Sequence, residues 1–90
     1  MDTKWAEDFL CFADTRSFSR SATARHSSQS AFSRRIQSLE GWLGTELIDR
    51  SSVPPSLTPA GHVFRGYATN IVQQANLARV SLRGSRRTDD

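Results

Sequence analysis

The chain has 90 residues and a net charge of +3 from twelve basic and nine acidic side chains. That length supports one small domain with a limited core, so pairing with a second copy is a ready source of further burial. A single cysteine, Cys11, excludes an internal disulfide and suits a reducing, cytoplasmic setting; no apolar run is long enough to span a bilayer, and the acidic N-terminus is wrong for a secretion signal.

The first predicted element is an amphipathic helix over about Thr3 to Asp14, with Trp5, Phe9, Phe12 and Ala13 on one stripe and Thr3 as its cap. Thr15 to Ser17 is polar and reads as a turn. A short second helix follows from Ser19 to His26, capped by Ser19, with Phe18 packing back as a staple and Ala22 small enough for another helix to approach closely.

Ser28 is the predicted cap of a third helix that runs to about Leu43 and stops at Gly44. Phe32, Ile36, Leu39 and Leu43 recur at spacings of four, three and four and form its inner face. Ser30, Arg34, Gln37 and Ser38 then point outward, with Gln29 and Ser33 at the N-terminal end and flank. From Arg16 to Arg35 there are five arginines (Arg16, Arg20, Arg25, Arg34, Arg35) and no acid, between flanks that hold Asp2, Glu7, Asp8 and Asp14 on one side and Glu40, Glu46 and Asp49 on the other. Such a block is the footprint expected for a polyanion, and arginine's planar fork suits phosphates and guanine edges. A solvated helix face accounts for the charge equally well.

Glu46 to Arg50, with Leu47 and Ile48, is a short strand; Ser51 to Ser56 is a loop, and Leu57-Thr58 a second short strand, together a small hairpin. Its adjacent prolines, Pro54 and Pro55, forbid a long ladder. Thr58 caps and Pro59 opens a last helix, predicted to run to about Leu82 and to end at Gly84. Ala60, Val63, Phe64, Tyr67, Ala68, Ile71, Val72, Ala75, Ala78 and Leu82 form its apolar stripe, too long for so small a domain to cover; a second chain is the simplest cover, so Val63, Phe64, Tyr67, Ile71, Val72, Ala75, Ala78 and Leu82 are candidate dimerisation residues. The tail from 85 to 90 reads as disordered.

Two short helices joined by a tight turn, the second with a cationic outer face, describe a helix-turn-helix over about residues 18–37. Ser17-Phe18-Ser19, Ala22, Ser28-Gln29, Ala31, Ser33-Arg34, Ile36, Leu39-Glu40, Leu43-Gly44, Glu46-Leu47, Arg50, Leu57-Thr58 and Ala60-Gly61 stand at the spacings of one family, and on these residues the chain resembles the DNA-binding head of LysR-type bacterial transcription regulators. The resemblance implies a mainly α fold: a winged helix-turn-helix (residues 2–58, three helices and a two-stranded wing) and a linker helix (59–84) that pairs antiparallel with its mate. It implies promoter DNA as partner, a homodimer, higher oligomers in full-length members, and a cytoplasmic, nucleoid-associated location. By the resemblance Ser28, Gln29, Ser33 and Arg34 stand at groove-reading and phosphate-holding positions, Ser17 and Ser19 fall near phosphates, and Arg50 stands where the wing meets the backbone or minor groove; Ser30, Arg35 and Gln37 complete the expected DNA-binding set.

There are three departures. Ser30 stands where the family usually has proline, the wing is poor in basic residues, and the C-terminal domain that binds small-molecule effectors is not in this chain, which reads as an excised head or a short relative. A short relative that pairs through the long helix with another regulator and antagonises it is the alternative reading. Trp5, Phe9, Phe12 and Trp42 read as packing, and Cys11 as a buried small residue. His26 and His62 have no partners at ligand spacing. With no nucleophile–base pair, phosphate loop or metal constellation, no catalysis, metal or cofactor is expected.

Overall fold

The structure is a computed structural model that describes the backbone of residues 1–88 and the side chains of residues 1–84. Its elements in chain order are α1 (Thr3–Thr15), α2 (Phe18–Ala24), α3 (Gln29–Leu43), β1 (Ile48–Asp49), β2 (Ser56–Leu57) and α4 (Pro59–Thr88). The first three helices and the hairpin enclose one apolar core, and α4 leaves it as a long arm.

Caps explain the boundaries. Asp2, not Thr3, caps α1: its backbone is extended and its carboxylate accepts from the Lys4 N–H. Likewise Ser17, not Ser19, caps α2 by accepting from the Arg20 N–H, which makes Phe18 the first helical residue. Between them Arg16 adopts a left-handed conformation at φ 54° and returns its N–H to the Phe12 carbonyl. Ser28 caps α3 as expected, accepting from the Ala31 N–H. Gly44 ends α3 at φ 77°, a conformation that glycine enters without penalty, and the N–H groups of Gly44 and Thr45 both return to the Glu40 carbonyl. The turn between α2 and α3 is closed by His26, also left-handed at φ 55°, and by the Ser27 N–H on the Ala22 carbonyl.

The hairpin pairs Ile48 with Leu57 and Asp49 with Ser56, antiparallel. Its second strand therefore begins one residue earlier than predicted, and Thr58 belongs to the next element: its hydroxyl accepts from the Gly61 N–H and donates to the Glu46 carbonyl. Gly61 seats α4 against the wing base. A Cβ there would lie 2.2 Å from the Leu47 carbonyl oxygen, so only glycine allows this approach.

The core contains Phe9, Phe12, Phe32, Ile36 and Leu39 from the helices, Leu47, Ile48 and Leu57 from the wing, and Phe64 and Ala68 from α4. Phe12, Phe18 and Phe32 form an aromatic ladder that ties α1, α2 and α3 together, with centroids 4.8 and 6.2 Å apart. Three expectations fail here. Trp42 is 61% exposed rather than packed, because it lies on the flank of α3, away from the Ile36–Leu39 face. Cys11 is half-buried. Gly84 does not stop α4, which continues through Thr88. The predicted disordered tail is thus helical as far as Thr88; positions 89 and 90 lie outside the described residues.

Candidate nucleic-acid interface

The site is built on the N-terminal ends of α2 and α3. Ser17 and Ser19 lie together at the start of α2, their hydroxyls 3.3 Å apart. Ser28 and Ser30 repeat the arrangement at the start of α3, at 3.4 Å. The four N-terminal N–H groups of a helix carry partial positive charge, so each end presents donors and hydroxyls together, a combination that holds phosphate oxygens. Gln29, Ser30, Arg34 and Gln37 are exposed along α3, and Ser33 is half-buried beside them. Among the described residues Arg34 has no ion-pair or hydrogen-bond partner, so its guanidinium is available to a ligand.

Arg35 does not belong to this face. Its Nε donates to Asp8 Oδ2 at 2.6 Å, its Nη2 to Asp8 Oδ1 at 3.2 Å and its Nη1 to Ser27 Oγ at 3.2 Å. The guanidinium also lies 5.9 Å from the Phe32 ring centroid. One position along a helix is a turn of about 100°, enough to carry the neighbour of Arg34 onto the α1 side. Arg25 is drawn in as well: its Nε meets Asp8 at 2.8 Å and its Nη1 meets Glu7 at 3.2 Å. Asp8 is wholly buried and takes both arginines, which keeps a charge that would be costly alone fully paired. Hydrogen bonding to Asp8 raises the Arg35 pKa; for Arg25 partial burial opposes the same pairing, which prevails. Asp8 was legible only as an acid in a flank, and nothing in its neighbourhood announces partners 17 and 27 positions away.

Arg50 is likewise engaged internally. Its Nη2 donates to Glu40 Oε1 at 3.2 Å and its guanidinium lies 5.4 Å from the Phe18 ring centroid. Glu40 is buried and its other oxygen accepts from the Leu47 N–H at 2.7 Å and the Ile48 N–H at 3.3 Å. Glu40 therefore joins α3 to the wing, and Arg50 locks the wing to the start of α2. The sequence reading assigned Arg50 to DNA alone. Arg20, which in sequence is only one member of the basic block, lies exposed in the first turn of α2 beside Ser17 and Ser19, with its side chain unpartnered among the described residues.

The stripe of α4 divides in two. Phe64 meets Phe9 edge-on at 5.4 Å and is buried in its own core, so its assignment to a dimer surface is wrong; Ile71 and Val72 pack partly against the same core. Val63 and Tyr67 are exposed on the adjacent flank, and Ala78 and Leu82 are exposed where the helix has left the domain, with Ala75 half-covered. Leu77 and Val80, absent from the predicted stripe, are exposed there too. A groove of about 320 Å³ opens at the root of α4, with Leu43, Thr45, Ala60, Val63 and Tyr67 among its walls. Arg65 forms a surface ion pair with Asp14 at 3.0 Å.

The model for "Bacterial regulatory helix-turn-helix protein, lysR family" matches residues 3–62. Among curated proteins, the regulator YjiE of Escherichia coli is 40% identical over 84 residues, which are 93% of this chain and 28% of YjiE. Among solved structures, DarR of Vibrio fischeri in complex with DNA is 44% identical with a TM-score of 0.85, over 94% of this chain and 30% of that one. The BenM DNA-binding domain on its catB site superposes with a TM-score of 0.93 at 28% identity, over the whole of this chain and 97% of that one. The chain thus spans under a third of the length of full-length relatives such as YjiE and DarR, and nearly all of an isolated DNA-binding domain.

Proposed function

The chain belongs to the LysR family of bacterial helix-turn-helix regulators, as their DNA-binding domain, and from that premise we propose that it reads a specific promoter sequence with the outer face of α3 while two copies are joined through α4. The single observation that carries the reading is the face formed by Gln29, Ser30, Arg34 and Gln37: exposed, free of acids and opening on a capped helix end. A major groove about 12 Å wide admits such a helix. Arg34 matches guanine O6 and N7, and Gln29 and Gln37 match adenine N6 and N7. Ser17, Ser19, Arg20 and Ser28 serve the phosphates on either side.

Two copies are supported by Val63, Tyr67, Leu77, Val80 and Leu82, large apolar side chains that this chain alone leaves in water. A second α4, laid antiparallel, covers Tyr67 and the root groove with its own far end. Dimeric heads bind half-sites about one helical turn apart, and a two-fold protein calls for an inverted repeat. The reading places the protein in the cytoplasm at the nucleoid. Any small-molecule control belongs to a further domain of the kind full-length members carry.

Selection of duplexes from a random pool, followed by gel shift at fixed salt with competitor, tests the proposal. An inverted-repeat consensus bound by a dimer is the expected result. Uniform binding to all duplexes at micromolar protein rejects it.

A further inference from the structure

The wing of this chain ends in an apolar point. Val53 is 96% exposed, Pro54 beside it is exposed, and no cation lies between Ser51 and Leu57. The polar side chains of the loop bond to one another. Asp49 accepts from both the N–H and the hydroxyl of Ser51, which holds its carboxyl below the usual range. The Ser52 hydroxyl meets Ser56 Oγ at 2.8 Å across the hairpin. The one arginine of the wing, Arg50, is held at the base on Glu40 and Phe18.

That base also orients the tip. Glu40 fastens the start of β1 to α3, and Arg50 fastens the end of β1 to the first residue of α2. The wing is therefore rooted beside the first turn of α2, which carries Ser19 and Arg20 behind its Ser17 cap.

We propose that Val53 at the wing tip contacts the floor of the flanking minor groove and selects base pairs that lack the guanine 2-amino group. The inference rests on the DNA-binding reading above. An apolar methyl pair cannot accept a hydrogen bond, so it leaves the amino group of a G·C pair dehydrated and unpaired, whereas A·T pairs project nothing there. With no charge at the tip, this contact releases no counterions and is independent of salt.

Inosine separates groove from sequence, because an inosine·C pair keeps the major-groove pattern of G·C and lacks the 2-amino group. A duplex enriched from a random pool by the wild-type protein is remade with A·T, G·C or inosine·C at each flanking position under the wing. Wild type is expected to bind the A·T and inosine·C duplexes alike and the G·C duplex about five- to tenfold more weakly. Val53→Ser, at a fully exposed position, retains the fold and loses that discrimination, with the slope of log affinity against log salt unchanged. Val53→Arg steepens the slope by about one. Discrimination that persists in Val53→Ser, or G·C bound as well as inosine·C by wild type, overturns the assignment of Val53 and leaves DNA binding standing. Failure of wild type to enrich any duplex overturns both.

Discussion

The two faces of α3 each carry an arginine, one residue apart, and treat it in opposite ways. On the outer face Arg34 has no partner among the described residues and opens to solvent. On the inner flank Arg35 is gripped by Asp8 and Ser27 and lies over Phe32. Four of the five arginines in the block thus fall into two populations. Arg25 and Arg35 stabilise the packing of α1 against the helix-turn-helix, while Arg20 and Arg34 supply the surface field. What divides them is whether helix geometry brings a carboxylate within reach, which neighbouring charge along the chain does not determine.

The comparison breaks most visibly at Asp8. Asp8→Ala leaves two partly covered guanidinium groups without their shared counterion; a cost of about 3 kcal/mol is expected, at the low end for buried pairs because both arginines keep some solvent. Urea unfolding followed by circular dichroism measures it, and a cost below about 1 kcal/mol would reduce the network to an ordinary surface ion pair. Arg34→Ala is expected to weaken specific DNA binding by about 1–3 kcal/mol with the melting temperature unchanged. Unaltered affinity in a gel shift would mean that α3 presents another face to the groove.

Arg35→Ala should show the reverse pattern: about 1–2 kcal/mol of stability lost, and a salt dependence of DNA binding equal to that of wild type. A flatter salt slope would return Arg35 to the interface. The smallest effect is expected at Ser30→Pro. Ser30 is the second residue of α3, where no intrahelical N–H bond is lost, so stability holds or rises by about 0.5 kcal/mol. The altered group is a hydroxyl on the outer face, so the base preference in a selected pool shifts while thermal unfolding comes no earlier than in wild type.

Much of the fold was legible because some signals had no rival. Gly44 and the Thr58-Pro59 pair each stand alone as boundary signals, and each marks the boundary expected of it. Asp2 competes with Thr3, and Ser17 with Ser19, and side-chain chemistry does not choose between such neighbours. Backbone conformation does: the residue that is extended becomes the cap, and the next enters the helix. The site was legible along the outer face of α3, where a period of 3.6 sorts residues by direction. It was illegible where a side chain's fate depends on a distant one. That Asp8 holds Arg35 and Glu40 holds Arg50 has no signal in the spacing of the chain. Phe64 was merged with Val63 and Tyr67 because adjacent flanks of one stripe share a spacing, and only the presence of Phe9 pulls Phe64 inward.

The seat of α4 has a mechanical meaning. The helix is clamped at one end, where Gly61 meets the Leu47 carbonyl with no room for a Cβ and Thr58 ties its first turn to Glu46. Its first half lies on the core through Phe64, Ala68, Ile71 and Val72, so at about 1.5 Å per residue the stretch from 73 to 88 makes a free beam roughly 24 Å long. A tilt of about 10° where it leaves the core sweeps the free end through roughly 4 Å, comparable to the rise of one base pair. Whatever bears on the far end is therefore geared down at the wing, and two such beams joined side by side act as calipers whose jaws are set by a single glycine.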